Sequence, residues 1–301
     1  MPETSALLYA DHVRTLLART EKALADCGYD ALILHSGRAP DVFLDDQHYP
    51  YRVNAPFKAW VPLLDAPDSL LAIVRGQRPR LVVYSPDDYW HKAPARPSAF
   101  WAAEFDVQAV GQPGAARAAL PASLGRTAFI GAPFPELVSW SLDAINPEHL
   151  IHRLDYARAA KTGWELACLR EANRIGARGH LAAAAAFRAG ASEFEIELAF
   201  LRACGQREQE LPYNPIIALN EGAAVLHYQV LERRPPAAFR SLLIDAGADC
   251  AGYGSDITRT WAAERGDFAT LVEAMDALQL RLCAAVKPGV DWRDIHCSRS
   301  A

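Results

Sequence analysis

Asp245 and Asp256 stand eleven residues apart, in the runs Ser241-Leu-Leu-Ile-Asp245-Ala-Gly-Ala and Gly254-Ser-Asp256-Ile-Thr258-Arg-Thr260-Trp. Apolar residues alternate with small or polar ones on both sides of a turn-prone Asp249-Cys-Ala-Gly-Tyr253 segment, which predicts the two strands of a hairpin. Pairing symmetric about Cys250 and Ala251 sets Asp245 opposite Asp256, with their Cβ atoms about 4.5–5.5 Å apart. One face then carries Asp245, Gly247, Gly254, Asp256 and Thr258, and the other Ile244, Ala246 and Ile257. Two carboxylates at that distance repel by about 3 kcal/mol at an effective dielectric of about 20. A shared proton or a cation relieves the repulsion. A bare pair suggests acid chemistry of the aspartic-protease kind, whereas glycine and threonine neighbours leave room for ions. The plain alternative is a surface hairpin with two solvated aspartates.

These residues need a scaffold, and 301 residues suffice for two domains. The chain is 51% hydrophobic and 22% charged, the composition of a soluble globular protein with a sizeable core. Its net charge is −5, from 31 Lys and Arg against 36 Asp and Glu. No basic block argues for nucleic acid or an acidic membrane surface. The six cysteines, at 27, 168, 204, 250, 283 and 297, form no CxxC pair and read as reduced thiols. With an N-terminus lacking an apolar signal core and no apolar run of about 20 residues, the expected location is the cytoplasm, without export or anchoring.

Helical spacing of Leu8, Val13, Leu16, Leu17 and Leu24 predicts a helix from about Leu7 to Cys27, stopped by Gly28. Strands are expected at 31–34, 70–74, 80–84, 105–110, 128–130 and 150–154, giving an α/β domain over residues 1–155. Between the first two strands, Asp41–Asn54 is a loop rich in acids, aromatics and prolines. A second domain, 156–301, is expected to be α+β. Thr162 and Glu165 have capping-box spacing and start a long helix through the polyalanine to Gly190, and Ser192 with Glu195 starts another. Both should cover one face of a sheet made from strands at 214–218, 225–229 and the hairpin. A last long helix is expected from Asp267 to Val286, and Val290–Ile295 reads as the first turn of another.

With these pieces in place the chain resembles the bacterial Xaa-Pro dipeptidases, or prolidases, of the creatinase and methionine-aminopeptidase superfamily. The resemblance runs from about residue 5 to 294. It rests on Phe43-Leu-Asp-Asp46, Phe57-Lys-Ala-Trp-Val-Pro62, Asn214-Pro-Ile-Ile-Ala-Leu-Asn-Glu221, Ala224-Val-Leu-His-Tyr228, Leu243-Ile-Asp-Ala-Gly-Ala248 and Gly252-Tyr-Gly-Ser-Asp-Ile-Thr-Arg-Thr-Trp261. It implies a "pita-bread" catalytic domain, hydrolysis of Xaa-Pro dipeptides, and two divalent metal ions, usually Mn²⁺, with Zn²⁺ and Co²⁺ as alternatives. Asp245 and Asp256 are the implied metal ligands. His227 is implied to hold substrate or the developing oxyanion, and Tyr213 and Leu226 to line the substrate pocket. Asp46 is implied to reach the substrate's ammonium from the other subunit of a homodimer, where a carboxylate is the fitting group.

The resemblance also implies one further His and two Glu ligands. Beyond Trp261 the chain offers Glu264, Glu273 and His296, but no matching strands. The expectation is therefore a truncated prolidase whose 301 residues have little dipeptidase activity. A cut chain, a shifted reading frame and a natively short protein all read alike here. The rival is an inactive relative that keeps the fold to bind peptides or proteins, which would have little reason to keep both aspartates opposed.

Overall fold

The computed structural model describes residues 3–86, 89 and 100–297, so the ends of the two expected domains, Met1-Pro2 and Ser298–Ala301, lie outside it. Contacts divide the chain into two compact units, Met1–Arg170 with Cys250–Tyr253, and Glu171–Asp249 with Gly254–Ala301.

In the first unit, helix α1 (Glu3–Cys27) leads through Gly28, at φ +74, into strand β1 (Ala31–His35). Next come a single turn of helix, α2 (Ala55–Lys58), and strands β2 (Leu70–Val74), β3 (Arg80–Tyr84) and β4 (Asp106–Val110). The short helix α3 (Ala116–Ala119), strands β5 (Thr127–Ile130) and β6 (Ala144–Ile145) and helix α4 (Glu148–Ala157) complete it. The sheet order is β4-β3-β2-β1-β5-β6, with β1, β2 and β3 antiparallel in turn and the other pairs parallel. Successive strand residues point to opposite faces. Leu32, Leu34, Leu71, Ile73, Leu81 and Val83 therefore pack with Tyr9, Val13, Leu16 and Leu24 of α1. Ile33, Leu70, Ala72, Val82 and Phe129 pack with Leu120, Leu137 and Trp140 on the other side. Both faces are covered, which is why these strands are apolar throughout rather than alternating.

The strand expected at 150–154 is helix α4. Pro147 stands extended at its N-cap and Glu148 places an acid in its first turn. Leu150 is buried with Ile151 and Leu154 packed beside it, so 150, 151 and 154 form one helical face. The short apolar run carried no period that separates strand from helix.

Helix α5 (Gly163–Arg188) begins with the expected capping box: the Glu165 N–H donates to Thr162 Oγ1 at 3.3 Å, and the Thr162 N–H donates to Glu165 Oε2 at 2.8 Å. Helix α6 (Glu193–Cys204) has the second box, from Ser192 and Glu195, and ends on Gly205 at φ +68. In the second unit, strands β7 (Ile216–Leu219), β8 (Ser241–Ala246) and β11 (Ile257–Ala262) form an antiparallel sheet in the order β11-β8-β7. The two-residue strands β9 (Asp249–Cys250) and β10 (Tyr253–Gly254) pair with each other. Ala183, Phe187, Ile196 and Phe200 bury the face bearing Ile217, Leu219, Leu242, Ile244 and Ala246, so both helices cover one face as expected. Helices α7 (Asp267–Ala285) and α8 (Trp292–Cys297) follow.

The strand expected at 225–229 does not form. Asn220, at φ +51, turns the chain out of β7 into a 3-10 turn over Asn220–Ala224, and Leu226 and His227 continue in an exposed turn. Backbone and side-chain donors of this segment find partners outside any ladder.

Candidate metal centre

The hairpin register differs from expectation by two residues. Asp245 pairs with Thr258 and Ala246 with Ile257, because the tight turn is Ala251-Gly252, with φ of +54 and +89, rather than Cys250-Ala251. Two left-handed residues in succession fit the right-handed twist of a two-residue hairpin, and glycine takes the second place without strain. A slip of one residue would have put the aspartates on opposite faces; a slip of two preserves the face. Asp256 thus lies diagonal to Asp245 instead of opposite it, while Ile244 and Ala246 are buried in the core as expected.

The ladder is interrupted between β8 and β9 and between β10 and β11. A Cβ on residue 247 would collide with the Ser255 carbonyl, so only glycine fits. Ser255 is 2% exposed and fills the gap: its N–H donates to the Ala248 carbonyl at 2.8 Å, and its Oγ accepts from the Ala248 N–H at 2.9 Å. This break frees Asp256 from the regular pleat.

Tyr213 joins the two carboxylates. Its hydroxyl lies 2.7 Å from Asp245 Oδ1 and 3.0 Å from Asp256 Oδ1. A phenol has one proton, so it donates fully to one carboxylate at a time and leaves the other oxygen facing a lone pair. Burial, followed by the two carboxylates, pushes the Tyr213 hydroxyl well above the ordinary tyrosine pKa, and it stays protonated. The arrangement collects negative charge that a single proton cannot neutralise.

Two carboxylates and a phenol oxygen form a hard donor set, which fits Mg²⁺, Ca²⁺ or Mn²⁺ better than thiophilic ions. Among the described residues no group of three or more His, Cys, Asp and Glu side chains gathers. Asp245 and Asp256 therefore fit a divalent ion as two ligands of a larger shell.

Of the other residues singled out in the sequence, Leu226 is 84% exposed and His227 is exposed beside it. The hydrogen bonds of the Asp245 and Asp256 side chains go to Tyr213 and to neither of these two. Asp46, in the first unit, is exposed at the tip of a small loop closed by an Asp41–His48 pair at 2.7 Å and a Val42 N–H to Gln47 carbonyl bond. Sequence reasoning missed two residues that shape the site's surroundings. Gln206 braces Asp249, donating to its carbonyl at 2.7 Å and accepting from its N–H at 3.0 Å. Glu193 is 2% exposed and fastens the segment after β7. Its one sequence signal was an acid just inside a capped helix that also had an apolar face.

The two parts of the chain match two family models, the N-terminal domain of Xaa-Pro dipeptidase over residues 7–156 and metallopeptidase family M24 over residues 167–298. A Xaa-Pro dipeptidase of Stenotrophomonas maltophilia is 47% identical over 290 residues, covering 96% of this chain and 65% of that protein. One from Xanthomonas axonopodis pv. citri is 48% identical over 298 residues, covering 98% of this chain and 67% of that protein. This chain thus spans about two thirds of the length of these relatives. The aminopeptidase PepP of Pseudomonas aeruginosa, 22% identical, superposes with a TM-score of 0.68 over 95% of this chain and 71% of that one, which shows the shared pita-bread fold. These matches define residues 167–298 as an M24-type metallopeptidase unit. The chain belongs, more narrowly, to the bacterial Xaa-Pro dipeptidase family. Membership of a metallopeptidase family implies divalent metal ions.

Proposed function

We propose that the protein carrying this chain hydrolyses Xaa-Pro dipeptides, with Asp245 and Asp256 holding divalent metal ions, Mn²⁺ first among them. The convergence of both carboxylates on the Tyr213 hydroxyl carries this reading. Bound divalent ions make water nucleophilic at neutral pH and polarise a scissile carbonyl. The chain's own part is to hold two carboxylates on one face, against their repulsion, through the Gly247–Ser255 break. Tyr213 donates a hydrogen bond to that pair and lines the site with an oxygen. Leu226 and His227 stand exposed, where they are free to meet a dipeptide. By the family pattern His227 holds the developing oxyanion, and Asp46 pairs with the substrate's ammonium from the partner subunit of a homodimer. The six cysteines form no CxxC pair, which agrees with a reducing cytoplasm.

Two carboxylates are a partial coordination shell, so the 301 residues by themselves are expected to turn over slowly. The test compares proline release from a Xaa-Pro dipeptide with Mn²⁺ by this chain and by a chimera carrying the final third of one of its relatives. Turnover by the chimera, lost in its Asp245→Asn variant, supports the reading. Equal turnover by the variant contradicts it.

A further inference from the structure

Glu193 sits at the first turn of α6 with its carboxylate 2% exposed, yet nothing in the proposed chemistry uses it. Its Oε1 accepts from the Leu219 N–H at 2.8 Å, at the end of β7. Its Oε2 accepts from the Tyr228 hydroxyl at 2.9 Å and from the Glu232 N–H at 2.8 Å. The helix adds two contacts at the same place. The Phe194 N–H donates to the Glu232 carbonyl at 3.2 Å, and the Arg233 guanidinium lies 4.2 Å over the Phe194 ring. One buried carboxylate thus gathers three donors from positions 219, 228 and 232, which are the start, the middle and the end of one excursion.

That excursion carries Leu226 and His227. It has no ladder hydrogen bonds of its own, and its exposed side chains, Val225 at 55% and Leu226 at 84%, contribute little burial. Its shape must come from its anchors. At the far side Asn220 adds a second clasp, donating to the Ala238 carbonyl and accepting from the Arg240 N–H, each at 2.8 Å.

We infer that Glu193 is the positioning residue for the 220–232 segment, and through it for the His227 side chain. The inference rests on the proposed function only for what His227 then does. A carboxylate is required by the count of donors: both oxygens accept, and three donors point at them. A glutamine would aim its NH₂ at either the Leu219 N–H or the Tyr228 and Glu232 donors, leaving a buried donor facing a donor. Burial, and then the Glu193 carboxylate, push the Tyr228 hydroxyl up to about 12, so this clasp stays closed through the neutral range.

The experiment is amide hydrogen exchange on the 301-residue chain and its Glu193→Gln variant. Exchange over 220–232 should accelerate by about tenfold or more while β8 keeps its protection. Tyr228→Phe removes a single donor and leaves the helix intact, and should accelerate only the residues around 228, by about threefold. Exchange within about twofold of the parent in both variants overturns the inference. A second readout separates positioning from stability: Mn²⁺ is paramagnetic and broadens imidazole NMR signals near it. If the parent's His227 signal broadens with Mn²⁺, the broadening should be lost in Glu193→Gln while Mn²⁺ binding is kept, and its persistence counts against the inference. If the parent's signal never broadens but exchange in the variant rises, the clasp stands and the proposed role of His227 fails.

Discussion

Gly247 and Ser255 approach so closely that no side chain fits on residue 247, and this contact decides where Asp256 lies relative to Asp245. The Ser255 N–H and Oγ both bond Ala248, replacing the ladder bonds that the break removes. Gly247→Ala would force backbone against backbone. The expected cost is about 3 kcal/mol, measured by denaturant unfolding, together with loss of divalent-ion binding. A variant as stable as the parent would show that the strands part without consequence.

Tyr213→Phe removes the one proton shared by the two carboxylates. In metal-free protein it should lower stability by about 1 kcal/mol, since a charge-assisted hydrogen bond is lost and the repulsion is uncovered. Added Mn²⁺ should narrow the difference between parent and variant in thermal unfolding. A difference unchanged by Mn²⁺ would mean that the tyrosine and the ion do not address the same pair.

His12 gives the first unit a pH dependence. Its ring is fully buried, with Nε2 2.8 Å from the Ala59 carbonyl and Nδ1 2.9 Å from Thr162 Oγ1. The first contact needs Nε2–H, and in the neutral ring that burial favours, Nδ1 accepts from the threonine hydroxyl. Burial holds its pKa below the ordinary value of 6.5. The unfolded chain then takes up the proton first on acidification. The stabilisation is full above about pH 6.5 and is lost as pH falls below it toward the folded value. Unfolding free energy should drop between pH 7 and pH 5 more steeply in the parent than in His12→Gln. Parallel curves would contradict the assignment.

Thr162→Ala should cost more than a helix cap alone. It removes the N-cap acceptor for the Glu165 N–H, worth about 1 kcal/mol, and also leaves the buried His12 Nδ1 without its donor. The expected loss in urea unfolding is about 2 kcal/mol, against about 1 kcal/mol for Ser192→Ala, which touches only its own capping box. Equal losses would show that the His12 contact adds nothing.

The capping boxes were legible because Thr162, Glu165, Ser192 and Glu195 act within one turn of chain. The aspartate face was legible for a related reason: alternation fixes the face even when the register is off by two. The register itself depended on which residues near 251 accept a left-handed backbone, and Ala251 gave no sign of it. Leu150–Leu154 and Val225–Gln229 were misread as strands because five apolar-rich residues fit either period. At 225–229 the deciding partner, Glu193, lies more than thirty residues away in sequence. Tyr213 was placed near the site only by family resemblance; its bridging of the two carboxylates is a property of the folded chain.

Mn²⁺ binding to the 301-residue chain, followed by the electron paramagnetic resonance signal of free ion, tests the central claim most directly. The parent should bind saturably, with the weak affinity of a partial carboxylate shell. Asp245→Asn and Asp256→Asn should each weaken binding by about tenfold or more, and the double variant little further, because both serve one site. Binding that is unchanged in either single variant would show that the two aspartates do not form the metal centre.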